Sequence, residues 1–517
     1  MALKGYCPSD QFEIKHNTMF KKILIANRGE IAVRVINTAR EMGIKTVAVY
    51  SDFDKYSLFA RKADEAYHIG ASPAAQSYLL ADKLIEIAKK SGAEAIHPGY
   101  GFLSERGYFA KLCADNGIKF IGPTEHAIEF LGSKTNAKDI AVKANVPTVP
   151  GTHYALKTVE ECKEVAEKIG YPVLIKASAG GGGKGMRVVN RPEDLEASMR
   201  MAQNEARSSF GDDSVFIEKY VLNPRHVEFQ ILADEHGNAV HLGERECSMQ
   251  RRHQKVIEET PSVIMDEALR NEMGECAKRL VIQSGYTNAG TVEFIVDDKN
   301  NFYFLEVNTR LQVEHPITEM RTGLDLVKEQ LKIAYGEKLS FKQEDVKLNG
   351  AAIECRINAE DADNNFLPSI GKIEYMSKEG GNGIREDSGI EQGDEISVYY
   401  DSMISKMIAY GPDRPTAIAK MKRALKGYKI AGVKTNINFL MSLLESDAFI
   451  SGNYHTQYIE KTFMNTLKES NATNDMVLAA SLASTILKSS NGSSNHKAVL
   501  KNNSESRWAI RKFDNFR

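Results

Sequence analysis

Residues 21–52, KKILIANRGEIAVRVINTAREMGIKTVAVYSD, change their hydrophobic period twice, and this stretch constrains the fold more than any other. A short apolar run at Ile23–Ala26 gives way to a helical period at Ile31, Val35, Ile36 and Ala39. A second apolar run follows at Thr46–Tyr50. Strand, helix and strand in so short a span form a βαβ unit, whose strands lie parallel in one sheet. The pattern continues through AEAIHPGY and IKFIGP, so residues 19–132 read as one α/β domain. Its first turn is NRGEIA and not G-x-G-x-x-G, which argues against NAD as a ligand.

A second region opens near LGSKTNAK (131–138) and carries the strands YPVLIKAS and VFIEKYV, a glycine tract, and a hairpin at TVEFIVDDKNNFYFLEV. A third runs from Asn349–Ile357 to about Phe463, with alternating strand text in KIEYMS, EISVYY and SKMIAY. An amphipathic helix is expected there over Thr416–Tyr428, with Ile418, Met421, Leu425 and Tyr428 on one face. Beyond Glu469 the text is rich in Ser and Asn, and a helix over Asp475–Lys488 and a linker over 490–506 are expected. With 67 basic and 69 acidic side chains in 517 residues, the chain offers no electrostatic case for nucleic acid or an anionic membrane as partner. No apolar run approaches membrane-spanning length, and MALKGYCPSDQFEIKHNT lacks the apolar centre of a secretory signal. Cys7, Cys113, Cys162, Cys247, Cys276 and Cys355 form no C-x-x-C pair, so free thiols in a reducing cytoplasm are expected.

In KASAGGGGKGM (176–186), Gly180 to Gly183 lose more entropy on folding than any other residues would. A backbone that must approach a ligand closely does require them, and Lys176 and Lys184 suit phosphates there. In the hairpin, a turn centred between Lys299 and Asn300 sets Glu293 directly opposite Glu306. Like charges so placed are destabilising without a cation or a shared proton, and Mg²⁺ accepts such hard oxygen ligands. Asn308, Arg310, Gln312 and Glu314 follow at spacing two and would project to one side of an extended segment. CSMQRRHQKV (247–256) gathers Arg251, Arg252, His253 and Lys255, and NPRHVE (223–228) is a weaker signal of the same kind.

Together with IANRGEIA, HPGYGFLSE, EKY, EVNTRLQVEHPITE, ECRINAED and YYDSMISK, these motifs resemble the biotin carboxylase family, the ATP-grasp component of biotin-dependent carboxylases, over residues 19 to about 465. The resemblance implies an α/β (α+β) fold: a Rossmann-like N-terminal domain (19–132), an ATP-grasp domain (133–348) with a mobile lid at about 150–221, and a mixed C-terminal domain (349–465). An extension (1–18) and a tail (466–517) flank them.

It further implies that Lys134, Lys176, Gly182, Gly183 and His253 hold the phosphates of ATP, that Glu218, Lys219, Tyr220 and Val221 form the hinge at adenine, and that Met186, His226 and Gln250 line the nucleotide site. Glu293, Glu306 and Asn308 would bind Mg²⁺ or Mn²⁺, with two ions expected. Lys255, Arg310 and the Val313 backbone would bind bicarbonate, Glu314 would be its base, Arg356 would stabilise the biotin enolate, and Tyr100 would lie near the reacting centre. No carrier-like segment is present, since Lys422 in AKMKRAL sits on a helix, so the biotin carrier protein and the carboxyltransferase are expected as separate polypeptides in a homodimer-based complex. A carbamoyl-phosphate synthase-like or purine-pathway ligase is the alternative.

Overall fold

The computed structural model of the chain describes residues 19–466 apart from 153, 157, 178–185 and 211–213. The N-terminal extension, the glycines of the 180–183 tract and the tail expectations at 475–488 and 490–506 therefore lie outside the described residues. A second compact unit begins at Lys461, and its described residues, 461–466, are helical.

The opening βαβ unit forms as expected. Strands β1 (Lys22–Ile25), β2 (Lys45–Ser51), β3 (Glu65–Gly70), β4 (Ala95–His97) and β5 (Lys119–Phe120) make a parallel sheet in the order β3-β2-β1-β4-β5. Helix α1 (Gly29–Glu41) buries Ile31, Val35, Ile36 and Ala39, the face that its period marked. The strand order reverses at β1, so the loops after β1 and β4 flank a crevice at the carboxyl ends of the strands, the place where open α/β sheets bind ligands.

A three-stranded antiparallel sheet, β7-β6-β8, follows from β6 (Val173–Ala177), β7 (Met186–Val189) and β8 (Val215–Lys219). With the helices Val159–Ile169 and Leu195–Phe210 it encloses a small core of its own, including Cys162, Ala166, Ile175, Leu195 and Ile217. The largest element is an eight-stranded sheet. It comprises β9 (Arg225–Ala233), β10 (Ala239–Arg251), β11 (Gln254–Thr260), β12 (Asn288–Val296), β13 (Phe302–Asn308), β14 (Ala351–Asn358), β15 (Ile384–Ser388) and β16 (Met403–Gly411). Their order is β13-β12-β9-β10-β11-β14-β16-β15.

Two expectations in the third region need correction. EISVYY is strand only over Glu395–Ile396, because Tyr399 and Tyr400 turn to ring contacts with Phe53, and Tyr400 also with Tyr78. The amphipathic helix spans Arg414–Gly427, starting two residues earlier than expected at the Asp413 cap. It buries Ala417, Met421, Ala424 and Leu425, with Ile418 only half-buried.

Candidate active site

The β12–β13 hairpin places Glu293 directly opposite Glu306. The register reaches that pairing by a route the alternation did not reveal. Towards the turn the strands pair one residue tighter, Phe294 with Phe304 and Val296 with Phe302, and Leu305 is the extra residue that restores the expected pairing. The turn closes through Asp297, whose amide donates to the Asn301 carbonyl at 2.9 Å and whose carboxylate accepts from the Lys299 and Asn301 amides. Bulges of this kind re-aim side chains next to active sites.

The segment after Glu306 departs from expectation. Strand β13 ends at Asn308, and residues 309–314 form a loop into the helix α2 (His315–Thr322), with Pro316 in its first turn. The four polar side chains still converge, by hydrogen bonds and not by alternation. Arg310 donates from Nη2 to Asn308 Oδ1 at 3.0 Å and from Nη1 to Gln312 Oε1 at 3.1 Å. Asn308 and Gln312 each donate to Glu293 Oε1, at 2.8 and 3.0 Å. The Nε of Arg310 lies 3.0 Å from Glu105, in the HPGYGFLSE loop.

Lys255 is the centre of the cluster. Its Nζ donates to Glu228 Oε2 at 2.5 Å, Glu314 Oε1 at 2.6 Å and Glu293 Oε1 at 3.1 Å. Glu314 is fully buried, and its second oxygen accepts from Arg356 Nη2 at 3.0 Å. Burial alone would push the Glu314 carboxyl up, but Lys255, Arg356 and Arg245 outweigh it and hold the group well below the carboxylate range. For Glu293, burial is likewise overcome by Lys255 and His226, and its pKa is lowered. His226 Nε2 lies 3.0 Å from Glu293, while its Nδ1 is 2.8 Å from the Gln250 amide. An amide N–H on Nδ1 leaves the proton on Nε2, facing the carboxylate.

Glu293, Glu306 and Asn308 offer hard oxygen ligands at one end of one hairpin, a donor set that fits Mg²⁺ or Mn²⁺. His226, Glu228 and Glu293 also bring ligand atoms within 4.8 Å of one another, as do Glu228, Cys247 and Glu314. Burial pushes the Cys247 thiol well above its usual range, so the second trio holds a neutral thiol as it stands.

On the three-stranded sheet, Glu218 of β8 accepts from Lys176 of β6 and from Lys138 at 2.7 Å. Lys219 donates to the carbonyls of Gly170 and Tyr171, both at 2.9 Å, the Tyr220 amide donates to the Pro172 carbonyl at 3.0 Å, and half-buried Val221 follows as the chain leaves the strand. Met186 opens β7 opposite Lys176. Lys134 begins the helix Lys134–Lys143, and its side chain, like Gly182 and Gly183, lies outside the described residues. Arg252 and His253 form the two-residue turn between β10 and β11, both at positive φ (50° and 63°), with His253 exposed at its tip. The structure does not bring His253 into the carboxylate cluster.

Three family models cover almost all of the described chain. The biotin carboxylase N-terminal domain matches residues 19–128, the carbamoyl-phosphate synthase L chain ATP-binding domain matches 133–342, and the biotin carboxylase C-terminal domain matches 354–461. Biotin carboxylase 1 of Bacillus subtilis is 52% identical over 443 residues, 86% of this chain and 98% of that protein. The chain belongs to the biotin carboxylase family. The biotin carboxylase of Nostoc sp. is 51% identical over 442 residues, 86% of this chain and 99% of that one. Among solved structures, the biotin carboxylase domain dimer of Hydrogenobacter thermophilus 2-oxoglutarate carboxylase, in complex with MgADP, ADP and bicarbonate, is 50% identical. It superposes with a TM-score of 0.79, over 86% of this chain and 98% of that chain. The match to a carbamoyl-phosphate synthase domain is confined to the ATP-binding region and is flanked on both sides by biotin carboxylase domains, so the alternative ligase is not favoured.

This biotin carboxylase also holds site residues that sequence reasoning passed over. Glu228, fully buried, binds Lys255 and, at 2.6 Å, Arg245, which is itself fully buried. The signal was present in RHVEFQILA: His226, Glu228 and Gln230 alternate with Val227, Phe229 and Ile231, so one face of a buried strand is polar. Glu258 accepts from Arg356 Nε at 2.6 Å. Lys406, in YYDSMISK, is fully buried and donates to the Val313 carbonyl at 2.8 Å. Nothing in the spacing of these last two marked them, because their partners lie far along the chain.

Proposed function

We propose that Glu314, clamped between Lys255 and Arg356, is the base that activates bicarbonate in this ATP-dependent biotin carboxylase, and that the surrounding residues divide the remaining work. The observation that carries this reading is the pair of contacts on its two carboxylate oxygens, 2.6 Å to Lys255 and 3.0 Å to Arg356. As it stands Glu314 is ionised but weakly basic. Bicarbonate entering beside Arg310 would draw the Lys255 ammonium onto itself, and Glu314, losing that partner, would gain the basicity to take the bicarbonate proton. The freed oxygen attacks the γ-phosphorus of ATP, ADP leaves, and carboxyphosphate forms. Its breakdown gives CO₂ and phosphate, and the phosphate removes the ureido proton of biotin. Arg356 would hold the resulting enolate as it captures CO₂.

Glu293, Glu306 and Asn308 would hold Mg²⁺ or Mn²⁺, which when bound neutralises charge on the transferred phosphate. Lys134, Lys176, the glycine tract and His253 would hold the phosphates, and residues 218–221 the adenine. The separate core of the β7-β6-β8 sheet suits a lid at about 150–221 that closes over the nucleotide. We assign the domains to 19–132, 133–348 and 349–465. Biotin would arrive on a separate carrier protein, with a carboxyltransferase as the next partner and a homodimer as the working unit. Five buried, unpaired cysteines among the described residues support a reducing compartment such as the cytoplasm, and no helix there is long and apolar enough to cross a membrane.

The test is ATP hydrolysis with Mg²⁺, bicarbonate and free biotin. Turnover should require bicarbonate and rise with biotin, and no response to biotin at saturating bicarbonate refutes the reading. Glu314→Gln should lose about 10²–10⁴ in turnover while still binding ATP; failure to bind nucleotide in the folded variant counts against a role confined to bicarbonate.

A further inference from the structure

The loop from Thr309 to Glu314 carries no strand pairing, so its carbonyls must find other partners. Two of them do so in succession. The Gln312 carbonyl accepts from His315 twice, from the backbone amide at 3.3 Å and from ring Nδ1 at 2.8 Å. The next carbonyl, of Val313, accepts from Lys406 Nζ at 2.8 Å. His315 and Lys406 are both fully buried, and Lys406 is balanced by Glu30 of α1, 3.2 Å away, with Asp387 at 3.9 Å. The arrangement therefore joins the first helix of the N-terminal sheet, strand β16 and the loop.

In a planar trans peptide the N–H points opposite to the carbonyl of the same unit. Holding the Gln312 carbonyl towards His315 turns the Val313 N–H away from it, and holding the Val313 carbonyl towards Lys406 does the same for the Glu314 N–H. Among the described residues neither of these amides donates a hydrogen bond. Burial keeps the His315 imidazole neutral, so the ring proton needed for the Gln312 carbonyl sits on Nδ1.

We propose that His315 and Lys406 are positioning residues that fix the two peptide planes of the 312–314 loop, so that its amides are presented to the bicarbonate ion. This rests on the reading of that loop as the bicarbonate site. Neither side chain touches a reacting atom; each acts through the backbone it holds.

Steady-state ATP turnover with biotin, measured against bicarbonate and separately against ATP, tests the role. His315→Phe and Lys406→Met should each raise the KM for bicarbonate about 10–100-fold, with the KM for ATP within about twofold of the parent. His315→Asn, whose amide can donate to the same carbonyl, should recover most of the loss. The double variant Lys406→Met with Glu30→Gln removes both buried charges together and should show the same selective rise, which covers the case where Lys406→Met alone does not fold. An unchanged bicarbonate KM, or equal rises for both substrates, overturns the positioning role. Wild-type turnover that ignores bicarbonate overturns the functional reading beneath it; bicarbonate-dependent wild-type turnover with unaltered variants overturns only this inference.

Discussion

Glu228 stands on the polar face of β9 between His226 and Gln230 and is held by two cations, Lys255 and the wholly buried Arg245. Arg245 also donates to Gln230, Thr291 and Thr318, but Glu228 supplies its carboxylate. Removing one partner of a buried pair strands the other charge, at about 3–5 kcal/mol. Glu228→Ala should therefore lower the unfolding free energy by an amount of that order, read as a lower urea midpoint, and Glu228→Gln by clearly less; equal midpoints for Ala and wild type would mean that Arg245 needs no counter-charge. At this scale the sequence was readable where a residue sat in a periodic pattern, as with Glu293 opposite Glu306. It was unreadable where the partner lay far along the chain. Lys406 looks like any strand lysine until the fold brings it to Val313 and Glu30, both more than ninety residues away.

The two-residue turn between β10 and β11 has Arg252 and His253 in the left-handed region, where an Asn followed by a Gly would be the comfortable pair. Such residues cost of order 1–3 kcal/mol each and persist only where the surroundings impose them. Here the Arg252 amide donates to Glu460 at 2.7 Å and its guanidinium to Asn365 at 2.8 Å. The double substitution Arg252→Asn with His253→Gly should raise the melting temperature and lower ATP affinity, the second through loss of His253; a variant that is stabilised with unaltered ATP affinity would remove His253 from the phosphate site. The hairpins were legible as elements because alternation and turn residues agree. The extended reading of 308–314 was not sound, and the warning was Pro316, which is pre-organised for the first turn of a helix and announced α2. The bulge at Leu305 left no trace in the alternation, since one extra exposed residue resembles ordinary strand.

At the scale of the molecule, three buried histidines among the described residues stay neutral in the fold. Burial pushes His97 and His241 down to about 4 and His315 well below its usual range. Above pH 6.5 these groups are neutral folded or unfolded and contribute nothing to pH dependence. Between about 6.5 and 4 the unfolded chain takes up protons that the fold refuses, so stability falls as the pH drops. For His97 alone this amounts to about 3 kcal/mol, while His226, raised in the fold, and Glu30 and Glu258, which burial pushes up to about 7, act in the opposite sense. His97→Gln should lose less stability than the wild type between pH 7.5 and pH 5, read as urea midpoints; an identical loss in both proteins would show that His97 protonates freely in the native state. The parallel N-terminal sheet was evident from hydrophobic period, whereas the eight-stranded sheet was not, because strand order across some 190 residues is set by tertiary pairing. In that sheet β11 pairs directly with β14, residue for residue from Ile257–Cys355 to Thr260–Ala352. The ATP-binding and C-terminal portions thus share one hydrogen-bonded surface. Any exchange of parts between carboxylases, in evolution or at the bench, would have to transplant β9 through β16 as a single block, since a crossover near residue 350 would ask two unrelated strand edges to recognise each other.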